Sequence, residues 1–190
     1  MLKKLFISKV RISVLNEYMS DLNTSFHVRG LVRRLDEEIN AVRRELLNLE
    51  SAGILKSKRD GNKLVYKVDH TCPILWELRS MFFKESPIGQ KLQSVVESIE
   101  GVDIVVLTES FLTGKYEHDT DVDFLFIGNM KVKDLSTAMS QVEKEMENQL
   151  RFSAIRKEDF DFARKKKEPF LMNIIEKDKI IMFGQLSDLL

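Results

Sequence analysis

The chain has 190 residues, 43% of them apolar and 32% charged, a globular composition with length for one large or two small domains. Composition excludes several classes: no apolar run is long enough to cross a bilayer, and Lys9 and Arg11 interrupt any signal-peptide core after MLKKLF. A single cysteine, Cys72, excludes an internal disulfide framework, so a soluble cytoplasmic protein with no membrane partner is expected.

A net charge of zero conceals a division. Residues 1–85 carry 16 Lys and Arg against 11 Asp and Glu, a net +5; residues 86–190 carry 14 against 19, a net −5. This predicts two domains, 1–85 and 86–190, with different partners; the alternative is that the halves attract each other, within one protein or between two subunits. In the basic half, Leu5, Phe6, Ile7, Val10, Val14, Leu15 and Tyr18 predict a helix to about residue 19. SDLNTS is a loop, and Phe26–Leu35 a second helix with Val28, Leu31, Val32 and Leu35 on one face. Asp36 is the expected N-cap of a third helix, with Ile39, Val42, Leu46, Leu49 and Ala52 as its buried stripe and Gly53 as its stop. His27 is expected at a helix start, and no metal role is assigned to it, His70, Cys72 or His118. In ILKSKRDGNKLVYKV, 54–68, two strands flank Asp60-Gly61-Asn62, a hairpin signal. Residues 73–84, PILWELRSMFFK, form an apolar helix that packs on the first helix or on a second subunit.

Three helices followed by a hairpin, with RRELLNLESAGILKSKRDGNKLVYKV, resemble the winged helix-turn-helix domains of small repressors of the arsenical-resistance-repressor-like group. The resemblance covers about residues 5–84 and implies duplex-DNA binding, with homodimerisation through the terminal helix. The residue chemistry agrees. Asn40, Arg43, Arg44 and Asn48 lie off the apolar stripe of the third helix, and Arg and Asn make bidentate contacts with guanine and adenine edges. Lys56, Lys58, Arg59 and Lys63 line the wing, and Arg29, Arg33 and Arg34 on the second helix are placed to hold phosphates.

After ESP at 85–87, helix 88–100 opens the acidic half. DIVVLT, 103–108, is a buried strand, 109–120 a loop, and DVDFLFIG, 121–128, a second strand. An amphipathic helix at 133–150, a strand at 150–155, a helix at 158–175 around Pro169 and a strand at 179–184 follow. The expected fold class is α+β, this half being a small mixed sheet with helices on one face.

SFLTGKYEHDTDVDFLFIG is similar to the signature of minimal, DNA polymerase beta-like nucleotidyltransferases. The resemblance implies that Ser110 and Gly114 bind a nucleotide triphosphate and that Asp121 and Asp123 are metal-binding, catalytic carboxylates for magnesium. Two positions depart from the pattern. Glu109 stands where glycine is usual, placing a side chain and a negative charge against the phosphates. On the third strand LRFSAI offers Arg151 or Ser153 in place of the third carboxylate, with Glu158 and Asp159 only afterwards. The leading expectation is therefore a DNA-binding transcriptional regulator with a degenerate nucleotidyltransferase-like domain. The alternatives are an active magnesium-dependent nucleotidyltransferase and an antitoxin-like protein with a toxin partner. The run Arg164 to Lys167 is a solvated helix face or a contact for phosphates.

Overall fold

The protein, described here from a computed structural model covering residues 1–189 apart from the side chains of Glu145 and Leu186, is of the α+β class. Two sheets, one of three strands and one of four, lie in two compact units, Met1–Glu85 and Ser86–Leu190, each with its own core.

In the first unit the expected opening helix is two helices, α1 (Leu2–Leu5) and α2 (Lys9–Ser20). Ser8 starts the second one, its Oγ accepting from the Arg11 amide at 3.1 Å, which satisfies a donor that no preceding turn can reach. A short strand follows that the helical reading of Phe26 overlooks: β1 (Ser25–His27). His27 then occupies the N-cap position of α3 (Val28–Leu35), and Gly30 leaves room for its ring, since a Cβ there would lie 2.6 Å from the imidazole. Asp36 is not the cap of the next helix. It ends α3 in the left-handed region at φ 53°, and Glu38 caps α4 (Ile39–Ser51), its carboxylate accepting from the Ala41 amide at 2.8 Å. Val42, Leu46 and Leu49 are buried as expected, whereas Ile39 and Ala52 are exposed.

Strands β2 (Leu55–Asp60) and β3 (Lys63–Val68) form the expected hairpin, with Asp60 opposite Lys63 and Gly61 at φ 55° in the two-residue turn. Strand β1 pairs with the other edge of β3, Phe26 opposite Tyr66. The last helix, α5 (Leu75–Glu85), takes the first of its two expected partners. Its Leu75, Leu78 and Phe82 enter the core with Leu15 and Tyr18 of α2, and Phe82 lies 5.9 Å from the Phe6 ring.

In the second unit α6 (Pro87–Glu97), capped by Ser86, leads into β4 (Val102–Leu107). The expected loop contains a short helix, α7 (Glu109–Thr113), and the next strand, β5 (Phe124–Gly128), begins three residues later than expected. Then come α8 (Val132–Met146), β6 (Phe152–Ile155), α9 (Lys157–Lys166), α10 (Pro169–Glu176), β7 (Ile180–Phe183) and α11 (Leu186–Leu189). Strand order is β6-β5-β4-β7; β4 is antiparallel to both neighbours and β5 parallel to β6, a mixed sheet as expected. Helices on one face alone do not describe it. Ile104, Val106, Leu125 and Ile127 pack with Phe160, Ala163, Leu171 and Ile174, and Val105, Leu107, Phe124 and Phe126 on the opposite face are equally buried.

Glu45 and Arg79 are the buried charged side chains of the first unit among the described residues. Glu45 of α4, 2% exposed, accepts from Arg11 Nε of α2 at 2.8 Å and from Asn48 at 3.4 Å. Burial opposes its charge, but hydrogen bonds from Ser8, Arg11 and Asn48 outweigh it and hold the carboxyl below its ordinary value. A depressed value means that its stabilising contribution is complete above the unfolded carboxyl value of about 4.3 and is lost as pH falls through the folded one. Replacing Arg11 strands a buried charge, whereas Glu45→Gln keeps an acceptor. Arg11→Met is therefore expected to cost about 2–3 kcal/mol and Glu45→Gln about 1 kcal/mol. Urea unfolding at pH 7 checks this; equal midpoints for both variants and the parent would refute it.

Candidate functional site

The first unit carries an open cleft of about 1090 Å³ between α3, α4 and the hairpin. Arg29 and Arg33 of α3, Arg43 of α4 and Lys63 of β3 line it, together with Val28, Val32, Ile39, Leu47 and Leu64. Its electrostatics depend on which cations are already engaged. Arg34 pairs with Glu17 and stacks over Phe26, Lys56 pairs with Asp69 at 2.9 Å, and Asn48 donates to Glu45. The Lys56 hydrogen bond, helped by Thr71, holds the Asp69 carboxyl at about 2. By contrast Arg29, Arg33, Arg43, Arg44, Lys58, Arg59 and Lys63 are exposed and form no salt bridge among the described residues. Asn40 is exposed beside Glu38. Of the eleven residues expected to touch DNA, three are engaged within the unit: Arg34, Asn48 and Lys56.

The second candidate is the carboxylate pair. Asp121 and Asp123 are 6% and 1% exposed and precede β5 rather than alternating within it. Asp121 Oδ2 accepts from the amides of Glu117 at 2.7 Å and His118 at 3.0 Å, and its Oδ1 from Asn173 Nδ2 of α10 at 3.4 Å. Burial opposes the charge of Asp121, but these two amides outweigh it and hold its carboxyl below the ordinary value. Asp123 has different partners. The Tyr116 hydroxyl donates to its Oδ1 at 2.5 Å and the Arg151 amide to its Oδ2 at 2.8 Å, while its own amide donates to the Arg151 carbonyl at 2.7 Å. Burial, reinforced by the adjacent Asp123, pushes the Tyr116 hydroxyl up to about 12, and the Arg151 guanidinium lies 4.6 Å over the Tyr116 ring.

Ser110 lies in the first turn of α7, half-buried, and Gly114 ends that helix at φ 68° with its amide donating to the Ser110 carbonyl at 2.8 Å. Glu109, at the departure from the expected glycine, faces Lys177, whose Nζ lies 3.5 Å from Glu109 Oε2 and 2.7 Å from Glu117 Oε2. The hydrogen bond with Glu117 raises the lysine and lowers the carboxyl. Ser110, Asp121, Asn173 and Lys177 share a cleft with only about 10 Å³ of open space, room for roughly one water molecule. The four oxygens of Asp121 and Asp123 all accept hydrogen bonds, from two separate sets of partners. Among the described residues no three His, Cys, Asp or Glu side chains are grouped to hold a metal. Arg151 stands at the entry of β6, Ser153 pairs with Leu125, and Glu158 and Asp159 lie past the strand in the first turn of α9.

Tyr116, Asn173 and Lys177 are the site residues that the sequence does not single out. Lys177 and Asn173 come to the cleft from more than fifty positions away, and a lone lysine after an apolar helix carries no signal of that approach. The chain matches no family model, no curated protein and no solved structure.

The partners of Asp123 are structural in character. Asp123→Ala leaves the Tyr116 hydroxyl and the Arg151 amide unpaired and is expected to cost about 2–3 kcal/mol; Tyr116→Phe, which removes one donor, is expected to cost about 1 kcal/mol. Denaturant midpoints measure both, and an unshifted Asp123→Ala midpoint would show that the hydrogen bonds add nothing. For Asp121 the lowered carboxyl contributes stability above the unfolded value of about 3.9, lost as pH falls through the folded value. Asp121→Asn is expected to flatten that acid limb in a pH series of thermal melts.

Proposed function

We propose that the chain is a cytoplasmic transcriptional regulator that binds specific duplex DNA through Met1–Glu85, with α3 and α4 as a helix-turn-helix and β2–β3 as a wing. One observation carries this reading: seven exposed cations on α3, α4 and the hairpin are left without salt bridges among the described residues, and four of them, Arg29, Arg33, Arg43 and Lys63, line one open cleft. Free Lys and Arg side chains are what phosphate contact requires, and the Arg43 and Arg44 guanidinium groups on α4 suit guanine edges. Homodimerisation is carried forward as part of the proposal, with solution mass as its test; two copies would read half-sites one helical turn apart.

The second unit is, in this reading, a nucleotidyltransferase-like domain without transferase chemistry. The buried hydrogen bonds of Asp121 and Asp123, the lysine between Glu109 and Glu117, and Arg151 in place of a third carboxylate support it.

Fluorescence anisotropy of labelled duplexes tests the proposal. Binding is expected to weaken with salt, the log–log slope counting about 0.9 per phosphate contact. Arg43→Ala combined with Arg44→Ala is expected to abolish preference for a selected site over random duplex, with the circular dichroism spectrum unchanged. Retained preference in the double variant, or no duplex binding at low salt, overturns the proposal. Magnesium-dependent turnover of a nucleotide triphosphate that disappears in Asp123→Asn would establish the transferase alternative instead.

A further inference from the structure

The cleft of the first unit is lined by apolar side chains as well as cations, which a surface built only for phosphates does not need. Ile39, Arg43 and Leu47 follow one another at intervals of four on α4 and all line it. Ile39 is 36% exposed, Leu47 51% and, across the cleft on β3, Leu64 39%. Exposed apolar side chains grouped within a concave surface mark a contact with apolar matter. In duplex DNA the phosphates and sugars offer charge and polarity, whereas the major-groove floor offers one distinctive apolar group, the C5 methyl of thymine.

Resting on the DNA-binding reading above, we propose that this cleft reads thymine methyl groups, with Leu47 as the main contact, beside a guanine held by Arg43. The occupant follows from the two properties of the cleft together. Arg29, Arg33 and Lys63 in its lining call for a polyanion, and the leucines and isoleucine of the same lining call for a methyl group on the same molecule. A thymine-containing major groove supplies both. A run of G·C pairs would set Leu47 against exocyclic amines and carbonyls and leave those polar groups unpaired. Spacing bounds the reading further. Four residues of helix advance about 6 Å, close to two base steps of about 3.4 Å, so the thymine lies within about two steps of the guanine.

The test begins with duplexes selected from a random library by the full-length protein at about 150 mM salt. Each thymine of the selected duplex is then replaced singly by deoxyuridine, which differs only by the methyl group. Loss of one buried methyl is expected to weaken binding about fourfold at one or two positions, from ~0.8 kcal/mol per carbon at 1.4 kcal/mol per decade. Leu47→Ala is expected to equalise thymine and uracil there while preserving the guanine requirement, and Leu47→Met to restore most of the difference. Equal affinity for every uracil-substituted duplex, or a selected sequence without thymine near its essential guanine, overturns this inference and leaves the DNA-binding reading intact. Failure to select any duplex overturns both.

Discussion

Asp123 fixes the middle of the four-stranded sheet. Its amide and one carboxylate oxygen engage the carbonyl and amide of Arg151, so the entry of β5 is tied to the entry of β6 before the parallel ladder begins. Its other oxygen holds Tyr116, which anchors the loop arriving from α7. Because β5 is the strand shared by β4 and β6, the register of both neighbours depends on where it starts. The buried carboxylate thus accepts from one backbone amide and one phenol, while the residue's own amide donates the third bond of the junction.

The first unit distributes its charge by a different rule. Cations that hold elements together have carboxylate partners: Arg11 joins α2 to α4 through Glu45, Arg34 reaches Glu17, and Lys56 reaches Asp69 beyond the hairpin. Cations around the cleft lack them. Four unpaired cations, Arg29, Arg33, Arg43 and Lys63, therefore share the lining of one cleft. Binding a polyanion there would leave the internal pairs undisturbed, so recognition and folding make separate demands on the same residue types.

Much of this fold is legible in local pattern. The stripe Val42, Leu46 and Leu49 specifies the buried face of α4, and Asp60-Gly61-Asn62 specifies the hairpin, because both signals are complete within a few residues. The continuous apolar runs of β4 and β5 also carried the sign of a sheet covered on two faces, which an alternating strand would have lacked. What is illegible is long-range. Strand β1 exists only because β3, some forty residues later, supplies its partner. The Asp121-Val122-Asp123 motif reads as alternation along a strand, yet the strand begins after it, and Asn173 and Lys177 complete its surroundings from a distant helix end. Helix ends moved for a subtler reason. Ser8 and Glu38 captured the caps because their side chains reach the free amides of Arg11 and Ala41, while Asp36 was taken by the left-handed turn that closes α3.

The lysine between Glu109 and Glu117 governs the charge balance of its surroundings. Either glutamate can be lost with Lys177 still paired to the other, but among the described residues the lysine is the one cation that faces both and also favours the charge of Asp121. Glycine at position 109 would leave Lys177 paired with Glu117, whereas removing Lys177 would leave Glu109, Glu117 and Asp121 in mutual repulsion. Lys177 is in that sense the keystone of its corner: one cation screens three carboxylates that α7 and the loop before β5 bring together.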